Sequence, residues 1–104
     1  MSKLLRIETN KHIPFVVRIV ESGDKYGHND SLVYDDRRRT RGDALVEFYD
    51  ARYNHTKYGQ FVSRYYRSTL LRQRGRGLFL NEAAEAWQID AETMADIRQW
   101  LLSH

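Results

Sequence analysis

The sequence predicts an α+β domain: a mostly antiparallel sheet of three to five strands with two helices, over about 57–73 and 90–103. Three observations carry that prediction. Short β-branched and aromatic runs separated by turn residues fill the first half of the chain. After residue 57 the spacing of apolar residues lengthens from two to between three and four. A capped amphipathic segment then closes the sequence. At 104 residues the chain suits one domain, 1–104, and is short for two.

Leu4 to Glu8 reads as a short strand. Phe15 to Glu21 is a stronger one, because Phe15, Val17 and Ile19 alternate with Val16, Arg18 and Val20. With both faces largely apolar, it belongs in the middle of a sheet. Ser22 to Ser31 is rich in turn residues, among them Gly23, Asp24, Gly27, Asn29 and Asp30. Leu32 to Asp35 and Ala44 to Asp50 follow as strands, the second with Val46 and Phe48 on one side and Glu47 and Tyr49 on the other. Connections this short favour antiparallel neighbours.

From Lys57 to Gln73, residues Tyr58, Phe61, Val62, Tyr65 and Thr69 fall on one side of a helix, widened by Tyr66 and Leu70. Asn54 or Thr56 would cap its start, and Gly75 would close its end. Leu78-Phe79-Leu80 reads as a strand. Residues 82–87 fit either a short helix or a hairpin paired near Trp87 and Ile89. From Asp90 to Ser103 a second helix is expected, with Asp90 as N-cap, Ile89 and Met94 as a hydrophobic staple, and Met94, Ile97 and Leu101 as its buried stripe.

Charge narrows the function classes. The net charge of +3 hides an asymmetry: residues 1–50 carry nine basic and nine acidic side chains, residues 51–80 seven basic and no acidic ones, and residues 81–104 five acids against Arg98. Arginine outnumbers lysine thirteen to four, which favours fork-like contacts to phosphate or carboxylate. Without cysteine there is no disulfide, thiolate zinc site or cysteine nucleophile. The opening Met-Ser-Lys-Leu-Leu-Arg lacks the apolar run of a signal peptide, and no later stretch suits a membrane span, so a cytoplasmic, water-soluble protein is expected.

The leading expectation is association with nucleic acid through phosphates, using Arg64, Arg67, Tyr66 and the cluster Arg37, Arg38, Arg39 and Arg41. Arg64 and Arg67 would lie opposite the apolar stripe of the first helix, and Tyr66 would be partly exposed. Of the seven tyrosines, Tyr53, Tyr58, Tyr65 and Tyr66 sit near arginines, an arrangement suited to stacking on bases, although Tyr58 and Tyr65 also fit the core. The Arg37–Arg41 run is flanked by Asp35, Asp36 and Asp43, which would neutralise it in part. The alternative is a homodimer or adaptor in which a basic helix face meets the acidic Glu82–Asp96 region of another copy, with Trp87 and Trp100 as anchors.

Glu82-Ala83-Ala84, then Trp87, Ile89-Asp90, Thr93-Met94, Ile97 and Trp100-Leu101, resembles the helix-turn-helix layout of small DNA-binding proteins. That layout implies a second helix that reads DNA. Here such a helix would begin Asp90-Ala91-Glu92 and carry Asp96, setting carboxylates against phosphates, so an acidic helix packed on the sheet is the preferred reading.

A motif-less enzyme is the third class, and the balance leans away from it. Glu47 and Asp50 beside Arg52 offer acid–base groups, but on a face expected to be half exposed and merely solvated. Ser63, Ser68 and Thr69 have no histidine base implied by spacing. Asp24, His28 and Asp30 match no calcium loop, and His12, His28, His55 and His104 lack paired helical spacing, so neither a metal nor a small-molecule cofactor is implied.

Overall fold

The computed structural model describes residues 3–20, 44–72, 77–79 and 87–104. Four strands form one antiparallel sheet in sequence order: β1 (Lys3–Glu8), β2 (Pro14–Val20), β3 (Leu45–Asp50) and β4 (Gln60–Tyr66). A short helix α1 (Arg67–Arg72) continues from β4. Strands β5 (Leu78–Phe79) and β6 (Gln88–Ile89) make a separate antiparallel pair, and α2 (Ala91–Ser103) ends the chain. The architecture is α+β, and the interior position expected for Phe15–Glu21 is that of β2, which pairs with β1 and β3. The expected strand at Leu32–Asp35 and the turn-rich Ser22–Ser31 lie outside the described residues, as do Gly75 and residues 80–86.

One element differs from expectation. The helix predicted over 57–73 is a strand from Gln60 to Tyr66, and only Arg67–Arg72 is helical. Two causes combine. Phe61, Val62, Tyr65 and Tyr66 are β-formers. Opposite them the pairing steps from Phe48↔Ser63 to Tyr49↔Phe61, so Val62 is an extra residue without a partner across the ladder. That bulge returns side chains to the same face after three residues instead of two. Phe61 and Arg64 therefore share one face, while Val62 and Tyr65 both pack with the core on the other. A bulged strand has imitated helical spacing.

The inner face of the sheet is apolar. Phe15, Val17 and Ile19 of β2 and Val46 and Phe48 of β3 pack with Met94, Ile97 and Leu101 of α2 and with Leu70 and Ile89. Complete burial of a side chain of this size stabilises by about 1.5–3 kcal/mol. Asp90 holds α2 in place as anticipated, accepting from the Thr93 amide at 3.1 Å and the Thr93 hydroxyl at 2.7 Å. The same carboxylate accepts the Asn10 amide at 2.9 Å, fastening the helix start to the β1–β2 turn. At the other end the Arg67 guanidinium donates to the Leu101 carbonyl, satisfying a group the last helical turn leaves open.

On β2 and β3 the outer face is buried too, yet it is polar at its centre. Arg18 stands opposite Glu47 in the register, with Val16 and Tyr49 as the next pair on that face.

Candidate functional site

The arginines sort into two groups by what surrounds them. Arg18 is 3% exposed and donates to Glu47 Oε1 at 2.8 Å. Glu47 is 0% exposed, and the same oxygen accepts the Tyr49 hydroxyl at 2.7 Å, while Oε2 has no hydrogen-bond partner. Burial, then the hydrogen bond to Glu47, pushes the Tyr49 phenol well above its ordinary range and keeps it a donor. Burial opposes the charge on Arg18, but the bond to Glu47 together with the nearby Tyr58, Glu47 and Tyr49 outweighs it and raises the guanidinium further. Tyr58 covers this trio from the outer side, with its ring 5.2 Å from that of Tyr49 and 5.1 Å from the Arg18 guanidinium.

Arg52 forms a second buried-acid contact, on Asp50. Its Nε lies 3.1 Å from Oδ1 and its NH2 2.7 Å from Oδ2, and its backbone amide donates to Oδ1 at 3.0 Å. The Trp87 indole donates to Asp50 Oδ2 at 2.7 Å, tying the end of β3 to β6. Burial favours the neutral acid, but the Arg52 side chain and amide, and then the indole, outweigh it and hold Asp50 below the usual carboxylate range.

These contacts correct one expectation. Glu47 and Asp50 are not solvated carboxylates on a half-exposed face; both are 0% exposed. Each is neutralised by an arginine, which is what makes such burial tolerable. The trio bridges β2 and β3 through its hydrogen bonds. The tryptophans have partners within the chain as well: Trp87 on Asp50, and Trp100 beside the His104 ring at 5.1 Å.

The β3–β4 connection is exposed, as are Arg64 of β4, most of β1 with its turn, and the outer side of α2. Residues 51–58 make the turn, closed by reciprocal backbone bonds between Thr56 and Gly59 at 3.0 and 3.1 Å. Gly59 has φ +127°, and a Cβ there would sit 2.5 Å from the Asp50 carbonyl, so the turn needs glycine. Arg52, Tyr53, Asn54, His55 and Lys57 are exposed on it. The Arg52 guanidinium lies 5.4 Å from the Tyr53 ring centroid and the Lys57 ammonium 5.1 Å from that of Tyr58. On β4, Arg64 is exposed and lies over the Phe61 ring at 5.9 Å.

The residues singled out by sequence are dispersed. Arg64 faces outward from β4, Tyr66 is half-buried two residues on, and half-buried Arg67 serves the end of α2. Arg64 and Arg67 therefore do not share a helix face, and the basic helix face imagined for a dimer is a strand. Arg37, Arg38, Arg39 and Arg41 lie outside the described residues, as do Asp24, His28 and Asp30. Sequence reasoning passed over Tyr53, His55 and Lys57 as a group. Their signal was an aromatic residue beside arginine and asparagine just after a strand, the composition of a hairpin tip.

A groove of about 330 Å³ opens at the end of β1 and β2, lined by Arg6, Ile7, Glu8, Pro14, Phe15 and Ala51. Its two charges are of opposite sign. No cluster of three metal-ligating side chains occurs among the described residues, and no helix among them is long and apolar enough to cross a membrane. Comparison with known proteins finds no matching family model, no matching curated protein and no matching solved structure.

Proposed function

We propose that the protein associates with nucleic acid through its phosphates, along the β3–β4 turn and the outer side of β4. One observation carries this reading. From Leu45 to Arg72 the chain has two carboxylates, Glu47 and Asp50, buried against Arg18 and Arg52, whereas Lys57, Arg64 and Arg72 are exposed. Residues 45–72 thus contribute cations and aromatic rings and no exposed acid to the surface, the footprint that a polyanion recognises. Among the described residues the exposed acids lie on other elements, Glu8 on β1 and Glu92 and Asp96 on α2. Arg37, Arg38, Arg39 and Arg41 would add to the same electrostatic attraction.

Fluorescence anisotropy with a labelled oligonucleotide tests it. Binding should weaken steeply between about 50 and 200 mM salt, because each neutralised phosphate releases a counterion. Lys57→Glu with Arg64→Glu should reduce affinity at least roughly tenfold at low salt while leaving the circular dichroism spectrum unchanged. Absent or salt-insensitive binding would overturn the reading. Light scattering in the same buffers asks about the alternative, since a salt-sensitive oligomer that ignores oligonucleotides would favour self-association.

A further inference from the structure

We propose that the turn at residues 51–58 selects single-stranded over duplex nucleic acid by stacking an unpaired base on Tyr53. The inference rests on the phosphate-binding reading above and adds a site and a preference to it. Tyr53 is 46% exposed, the one tyrosine among the large apolar side chains left open to solvent in the described residues. It is also held. The Arg52 guanidinium lies over its ring, and that guanidinium is itself gripped by the buried Asp50 carboxylate, which Trp87 anchors in turn. His55 lies beside the ring, with centroids 6.3 Å apart and planes tilted by 46°.

This chain of contacts has a consequence for binding. A surface tyrosine ordinarily loses rotamer freedom when a ligand lands on it. Here part of that ordering exists beforehand, because Asp50 orients Arg52 and Arg52 orients the ring. The Arg52 charge is matched by Asp50, so Arg52 contributes a stacking surface more than net charge. Lys57 and Arg64 then supply attraction to the backbone. A ring offered at an exposed turn can reach the π-face of a base only where that base is unstacked, which a duplex does not provide. Any base has such a face, so the preference would be for strandedness and not for sequence.

The test compares Tyr53→Ala, Tyr53→Phe and Tyr53→Trp against three probes of matched charge: a single-stranded oligonucleotide, a duplex, and inorganic polyphosphate. Tyr53→Ala should lose roughly tenfold in affinity for the single strand, with duplex and polyphosphate binding unchanged, and Tyr53→Phe and Tyr53→Trp should retain it. Equal melting temperatures would show the fold intact. If Tyr53→Ala leaves single-strand affinity unchanged while Lys57→Glu/Arg64→Glu weakens it, the stacking inference fails and the phosphate reading stands. An equal loss on all three probes would also overturn stacking. If the unaltered protein binds none of them at low salt, both fall.

Discussion

The two faces of the central strands, β2 and β3, are buried to the same depth by opposite chemistry. The inner face is Phe15, Val17, Ile19, Val46 and Phe48, closed by the apolar stripe of α2. On the outer face, Arg18, Glu47 and Tyr49 form a hydrogen-bonded trio between Val16 and Val20. Burial alone therefore says little about what holds a face together. The inner face gains from every methylene removed from water, whereas the outer face is stable only while each charge keeps its partner. One glutamate oxygen there, Oε2, lacks even that, so the trio carries a desolvation cost that the apolar side does not.

Substitutions should separate the two faces. Phe48→Ala should cost about 3–5 kcal/mol in chemical denaturation, through lost transfer energy and the cavity left behind. Glu47→Leu alone should cost a similar amount, about 3–5 kcal/mol, because it strands the Arg18 guanidinium in an enclosed site. The double variant Arg18→Met/Glu47→Leu is the discriminating one. It should recover most of that loss, since an apolar pair replaces a balanced ionic one, whereas pairing Phe48→Ala with Ile97→Ala should deepen the deficit. If the double variant is as unstable as the single one, the outer trio contributes more than mutual neutralisation.

Acid should act on two carboxylate-held contacts, Asp50 at the end of β3 and Asp90 at the start of α2. Asp50 and Asp90 both ionise below their ordinary value of 3.8. For each, burial pulls the other way and is outweighed by hydrogen bonds: for Asp50 from Arg52 and then Trp87, for Asp90 from the Asn10 amide and then Thr93. A lowered folded-state value means the stabilisation is fully present above 3.8 and disappears as pH falls through the lower, folded value. Urea midpoints should therefore decline below about pH 4. Asp50→Asn should start lower at neutral pH and decline less on acidification. A curve parallel to that of the unaltered protein would mean that Asp50 does not carry this dependence.

The same contrast explains what could be read beforehand. Strands β1, β2 and β3, the staple at Ile89 and Met94, and the Asp90 cap follow from patterns spanning a few residues, and they were legible. The bulge at Val62 was not, because it is defined by the partner strand and leaves only a misleading three-residue spacing. Nor was the burial of Glu47, whose partner Arg18 is 29 residues away in sequence. Arg67 is 34 residues from the carbonyl it caps. Charge runs along a sequence cannot distinguish a guanidinium turned inward onto an acid from one turned outward. Arg67, turned onto a backbone carbonyl, and the outward Arg64 looked alike for the same reason, and Tyr53 could not be told apart from Tyr58, Tyr65 and Tyr66.

The smallest effect on stability should come from the rim. Lys57→Glu and Arg64→Glu, at exposed positions, should shift unfolding by no more than about 0.5 kcal/mol each, while altering what the surface attracts.

The most direct measurement is a backbone amide shift map of the isotope-labelled protein titrated with a short single-stranded oligonucleotide at low salt. The largest changes should fall on residues 52–58 and on β4 around Arg64, with α2 from Ala91 to Ser103 unmoved. Changes centred on α2 or β1, or none at all, would contradict the assignment of this edge as the binding surface.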